Sequence, residues 1–351
     1  MKTWNRYPSL LLLCGLTLLS VTCGKKGGTD PIEPPAPAGT FTNPVRNGAD
    51  PWVMQKDGFY YYTQTMGNRI VLWKTASMSQ LGVATMATVY TPPSGSANSA
   101  NMWAPEIHFL DGKWYIYYTA GSGPDDSQRT WVLENSSPDP MQGSWTDKGR
   151  IFAADADFWA IDGTILEQGG KRYFVWSGRP DLSRQNQNLY IALMNSPWTL
   201  AATSTMISKP DQSWEINGGP VNEAPEQLSR GGKNFLVYSA SGCWTDDYAL
   251  GMLTLKESGN PLVAADWTKV SQPVFTKKTA GNAYGPGHNA FFKSKDGTED
   301  WIIYHANNNS NDGCSEKRTI RMQKFTWNTD GTPSFGTPVS AGAAIAVPAG
   351  E

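Results

Sequence analysis

The chain has 351 residues, 39% of them hydrophobic and 17% charged, with 29 basic side chains against 31 acidic ones. A formal net charge of −2 excludes the broad positive field that nucleic acid or an anionic membrane surface requires. The 35 glycines, 24 prolines, 15 tryptophans and 14 tyrosines suit short strands and turns better than a helical fold.

The first segment reads as an address. Lys2 and Arg6 precede an apolar run from Leu10 to Val21, which is short for a membrane span and typical of a signal-peptide core. Ser20-Val21-Thr22-Cys23 then resembles a loose bacterial lipobox, with Cys23 as the residue that would carry lipid. We therefore expect a signal peptide over 1–22, a flexible Pro/Gly linker over 23–40 and a folded domain over 41–351. The expected location is periplasmic, outer-membrane-anchored or secreted, with membrane contact only through the lipid. Outside the leader, Cys243 and Cys314 remain. In an oxidising compartment they are free to pair or to stand as separate thiols.

From residue 57 onward a turn followed by an aromatic-rich strand recurs. Its copies are Asp57-Gly58-Phe59-Tyr60-Tyr61-Tyr62, Asp111-Gly112-Lys113-Trp114-Tyr115, Gly169-Gly170-Lys171-Arg172-Tyr173, Gly231-Gly232-Lys233-Asn234-Phe235, and Asp296-Gly297 ahead of Trp301-Ile302-Ile303-Tyr304. Asp-Gly and Gly-Gly between β-prone runs signal type I′ hairpins, which need φ > 0 at both central residues. The second glycines stand 54, 58, 62 and 65 residues apart. One four-stranded sheet per interval gives an all-β, five-bladed propeller with a single catalytic domain. A two-sheet sandwich is the alternative, but it does not account for the regular recurrence. Sustained 3.6-residue apolar periodicity is lacking, which disfavours an α/β fold.

A second regularity precedes the turns. Asp50 and Asp162 lie eight residues before the second glycine, whereas Trp103, Glu223 and His288 lie nine before it. On inner strands, these five side chains converge at one end of the central channel. The one-residue disagreement matters, because a rigid strand would send its eights and nines to opposite faces. Unpaired buried carboxylates are costly, and gathering three of them points to use. Glycoside hydrolysis needs paired carboxylates and no cofactor, one as acid and one as base or nucleophile. Glu226 competes with Glu223 for the acid role, but its alignment with Glu106 in Trp103-Ala104-Pro105-Glu106 and Glu223-Ala224-Pro225-Glu226 suggests support of the loop.

Six segments in this order resemble glycoside hydrolase family 43, especially its α-L-arabinofuranosidases. They are Gly48-Ala49-Asp50-Pro51, Met102-Trp103-Ala104-Pro105-Glu106-Ile107-His108, Trp159-Ala160-Ile161-Asp162-Gly163-Thr164, Asn222-Glu223-Ala224-Pro225, Gly285-Pro286-Gly287-His288-Asn289 and Arg321-Met322-Gln323. The resemblance covers roughly Phe41 to Gly336. It implies an inverting enzyme that releases α-L-arabinofuranose from arabinose-containing plant polysaccharides or oligosaccharides. Asp50 would be the general base, Glu223 the general acid, and Asp162 the residue that tunes and orients the acid. Trp103 would form part of the sugar-binding wall, and Arg321 would bond sugar hydroxyls or the acid. No cofactor is required, although His288 would sit where some members hold calcium or another ion through water. Ala224, where many relatives have glycine, and the Cys243-Trp244 insertion depart from the pattern.

A β-D-galactofuranosidase, a β-xylosidase and a non-catalytic surface glycan-binding protein remain alternatives, all with a carbohydrate partner. A monomer is expected. With three histidines and no His-Glu-x-x-His or Gly-x-Ser-x-Gly segment, zinc-hydrolase and serine-hydrolase chemistry is disfavoured.

Overall fold

The computed structural model describes residues 39–184 and 186–351. The signal peptide, Cys23 and the linker up to residue 38 lie outside the described residues.

Four-stranded antiparallel sheets recur along the chain, each built by meandering outward from an inner strand. The inner strands are Trp52–Lys56, Ala100–Leu110, Trp159–Gln168, Asn222–Arg230 and Tyr284–Lys293, and they open blades one to five. The result is the expected five-bladed propeller rather than a sandwich. The turns behave as their sequences require. Asp57, Asp111, Gly169 and Gly231 have φ between 50° and 59°, and each is followed by a glycine with φ between 71° and 81°. In blade five a longer loop replaces the two-residue turn, and the Ser294 N–H bonds the Glu299 carbonyl at 3.0 Å.

Side chains on a strand point alternately to its two faces, and here both faces are covered by neighbouring blades. Tyr60 and Tyr62 pack with Phe292, Trp301 and Ile303 of blade five. Tyr61 between them faces Trp114, Ile116 and Tyr118 of blade two. Equivalent clusters join blades two and three, three and four, and four and five. Five interfaces among five blades make a closed ring, which explains why the second strands read as nearly unbroken aromatic runs.

The ring is closed by the start of the chain. Arg46–Asn47 pairs with Ile320 and Thr319 as the outer strand of blade five. Ahead of it, the Asn43 side-chain amide exchanges two hydrogen bonds with the Met322 backbone, at 2.9 and 3.0 Å. Thr40–Thr42 pairs with Ala344–Ala346, joining the two ends of the fold.

Cys243 and Cys314 form a disulfide with a Cα separation of 5.4 Å, across 71 positions of sequence. It ties the loop after the second strand of blade four to the corresponding loop of blade five. Replacing both cysteines with serine is expected to lower unfolding free energy by about 2–4 kcal/mol, as measured by urea titration under non-reducing conditions.

Candidate active site

Each blade carries the same irregularity at one end of its inner strand. In blade two, Trp103 pairs with Thr119 but Glu106 pairs with Tyr117, so three steps on one strand meet two on the other. The same extra residue occurs at Ile161/Thr164, Glu223/Glu226 and Gly287/Ala290. In blade one, the Thr65 N–H bonds the Ala49 carbonyl, and pairing resumes with Trp52 opposite Thr63. These are β-bulges, which bend a strand and re-aim its side chains. The bulged residues Asp50, Ala104, Asp162, Ala224 and His288 all have positive φ, between 43° and 58°.

A left-handed conformation is uncommon outside glycine, and Asp and His are among the residues that tolerate it best. Partners from the preceding blade hold the bulges. The Ala104 N–H donates to Thr65 Oγ1 (2.8 Å), Asp162 N–H to Thr119 Oγ1 (3.1 Å), and His288 N–H to Ser239 Oγ (2.7 Å). Asp50 N–H donates to His305 Nδ1 (3.2 Å), and Ala224 N–H to Asp162 Oδ2 (3.1 Å).

The bulges also resolve the disagreement of eights and nines. Asp50, Ala104, Asp162 and Ala224 share the spacing of eight, and His288 is one further back because turn five is longer. Trp103 and Glu223 immediately precede their bulged residues. A bulge redirects neighbouring side chains, so residues one step apart reach the same cavity.

That cavity, about 740 Å³ in volume, is lined by Asp50, Trp103, Asp162, Glu223 and His288 together. A groove of about 830 Å³ on the hairpin-turn end contains none of the three carboxyls. Arg321 does not reach the cavity. Its side chain is fully buried, with Nη2 donating to the Asn282 carbonyl and to Asn308 Oδ1. Arg179 and Arg318 line the cavity instead, and the one that pairs with a site carboxyl is Arg318, in the turn before the last full strand of blade five. Sequence reasoning passed over Arg318, Tyr248, Thr65 and His305. The available signals were a second arginine three positions before Arg321, and the recurrence of a hydroxyl residue, Thr65, Thr119 and Ser239, seven positions after the second glycine. Glu226 and Glu106 lie beyond the bulges, buried, and neither lines the cavity.

The two principal carboxyls have opposite environments. Burial is the largest single influence on Asp50 and would raise it, but the combined pull of the Arg318 guanidinium, 3.2 Å from Oδ1, and of His288 and His305 outweighs it. Thr65 adds a hydrogen bond to Oδ2 at 2.6 Å. Asp50 is therefore held well below the usual carboxylate range. His288 also lies 3.3 Å from Oδ1. Burial lowers its own pKa to about 4, so it is neutral near pH 7 and Arg318 supplies the compensating charge. His305 Nδ1 accepts the Asp50 N–H, and its 3.3 Å approach to Oδ1 therefore does not donate a proton.

Glu223 is pushed up to about 7, first by burial and then by the Asp50 charge, against the opposing pull of the Tyr248 hydroxyl and Arg318. The Tyr248 hydroxyl donates to Glu223 Oε1 at 2.8 Å. Burial raises Asp162 well above its ordinary value, and the neighbouring charge of Glu223 adds to the effect. Asp162 Oδ2 bonds the backbone N–H of the residue directly after Glu223. One cavity thus holds a carboxyl lowered well below its ordinary value and another raised to about 7, the kind of separation that acid–base chemistry needs.

Calcium takes six to eight oxygen ligands. Around His288 stand imidazoles and a guanidinium beside a single carboxylate, a poor match for direct coordination. Among the described residues, no group of three or more His, Cys, Asp or Glu is arranged to hold a metal.

A propeller that gathers three buried carboxyls in one cavity, two of them with oppositely shifted pKa values, is an architecture suited to acid–base chemistry. The chain belongs to glycosyl hydrolases family 43, whose profile matches residues 41–333. An extracellular exo-α-(1→5)-L-arabinofuranosidase of Streptomyces avermitilis is 44% identical over 319 residues, covering 88% of this chain and 66% of that protein. An α-L-arabinofuranosidase 43 of Humicola insolens is 38% identical, covering 88% of this chain and 65% of that protein. The chain therefore spans slightly less than two thirds of the length of these two relatives. The crystal structure of an α-L-arabinofuranosidase from Lactobacillus brevis matches with a TM-score of 0.81 at 36% identity, covering 86% of this chain and 98% of that one.

Proposed function

We propose that the protein is a glycosidase that releases α-L-arabinofuranose from arabinose-containing polysaccharides or oligosaccharides with inversion at the anomeric carbon. The observation that carries this reading is that one cavity holds Asp50 paired with Arg318 at 3.2 Å and, apart from it, a buried Glu223 bonded only to the Tyr248 hydroxyl at 2.8 Å among the hydrogen bonds described. The names of the Streptomyces, Humicola and Lactobacillus relatives support the choice of sugar, and the Streptomyces relative's extracellular designation supports export. Lipid attachment at Cys23 is the route we assign to surface retention.

In this mechanism the Asp50 carboxylate draws a proton from water, which attacks the anomeric carbon. Glu223 gives its proton to the departing glycosidic oxygen. Asp162 fixes the backbone beside Glu223, while burial is the leading cause of the acid's raised pKa. Trp103 forms part of the sugar wall. Arg318 takes the cationic role at the site, keeping Asp50 ionised. No step passes through an ion at His288.

Proton NMR during hydrolysis of an α-L-arabinofuranoside tests the assignment. The first-formed arabinose is expected in the β configuration, and an α first product would overturn inversion.

A further inference from the structure

Trp244 is a large apolar side chain that folding leaves in contact with solvent, 48% exposed on the rim of the cavity. Exposed tryptophans are usually mobile surface features, but this one is seated. Its indole N–H donates to the Gly218 carbonyl at 3.2 Å. A Cβ at position 242 would come within 2.4 Å of the ring atom Cε2, and one at position 218 within 2.8 Å of Nε1. Two glycines thus form a close-fitting bed for the ring.

The loop beneath is fastened on several sides. Cys243 is bound to Cys314, the Gly242 N–H bonds the Asn217 carbonyl at 2.8 Å, and Asp246 accepts hydrogen bonds from Ser310 and from the Asn311 N–H. Such a ring is pre-organised for contact, because binding need not immobilise it. No nearby chemistry used by the proposed reaction accounts for its exposure.

Its position identifies the ligand. Trp244 follows Ser239 on the second strand of blade four, and Ser239 pairs directly with Glu223 on the inner strand. A general acid protonates the leaving oxygen, so the part of the substrate beyond that oxygen extends over the acid's own wall. An aromatic face suits the apolar C–H face of a neutral sugar ring, which carries no charge to be matched.

We propose that Trp244 is the stacking platform of a leaving-group subsite, taking the sugar unit immediately beyond the bond that is cut. The proposal rests on the glycosidase reading above and adds a binding site for the next residue of the glycan chain. It also assigns a role to the Cys243-Trp244 insertion.

The test compares α-(1→5)-arabinotriose with methyl α-L-arabinofuranoside, whose leaving group is too small to stack. For Trp244→Ala, the ratio of kcat/KM for the trisaccharide to that for the methyl glycoside should fall roughly three- to tenfold. Trp244→Phe, which keeps a flat ring, should recover most of the ratio. Titration of arabinotriose into the full-length Glu223→Gln protein, with and without Trp244→Ala, should show weaker binding of matching size. An unchanged ratio, or equal losses on both substrates, would overturn the subsite. If the unaltered protein cleaves neither substrate, the glycosidase reading fails instead, and trisaccharide binding that is insensitive to Trp244 would then reject the platform separately.

Discussion

Replacing Glu223 with glutamine is expected to lower kcat/KM on arabino-oligosaccharides by roughly 10²- to 10⁴-fold, the usual contribution of a positioned acid or base. The loss should be much smaller on nitrophenyl arabinofuranoside, whose leaving group departs without a proton. Equal losses on the two substrates would remove Glu223 from the acid role. The pH profile gives an independent check. An acid works only while protonated, so with Glu223 raised to about 7, kcat/KM should fall as pH rises through that region. Glu223→Gln cannot lose a proton there, so its residual activity should lack this alkaline fall.

Asp50→Asn is expected to cost a comparable factor on every substrate, since water activation does not depend on the leaving group. The fold should survive, because asparagine also tolerates the left-handed backbone at this position. Arg318 provides the more discriminating test. In Arg318→Met, Asp50 stays buried but loses its cation, so its pKa should climb and the acidic limb should move to higher pH. Arg318 also pulls Glu223 downward, so the alkaline limb should move upward as well. Both limbs of the kcat/KM profile are therefore expected to shift the same way. A profile unmoved at its acidic edge would show that Arg318 does not hold Asp50 ionised.

Much of the architecture was legible because the turns are chemically explicit. Asp57-Gly58 and its counterparts need φ > 0, and their recurrence counts the blades. Convergence of Asp50, Trp103, Asp162, Glu223 and His288 was also readable, although the unequal spacing argued against it. That spacing reflects bulges, which local sequence marks only faintly because aspartate, alanine and histidine all occupy the bulged position.

Residues that support the carboxyls from outside the inner strands were far less visible. Tyr248 reaches Glu223 from the position just before the third strand of the same blade, and Thr65 links Asp50 to the bulge of blade two. Thr65 does recur, as Thr119 and Ser239 at the same distance after their turns, but a hydroxyl at that position carries no mark of its role; Tyr248 belongs to no such series. Arg321 illustrates the complementary error. It lies in a recognisable segment, but alternation along its strand turns it into the protein interior, while Arg318 in the preceding turn faces the cavity.

Asp50 follows only three residues after the strand that completes blade five, and its N–H is held by that blade's His305. The site thus straddles the seam at which this earlier strand completes blade five. Peeling Arg46–Asn47 away from Ile320 and Thr319 would carry off Asp50, the proposed base, while the other blades kept their cores. Hydrolytic competence therefore reports on the integrity of this seam, and should disappear at a milder perturbation than the one that melts the ring.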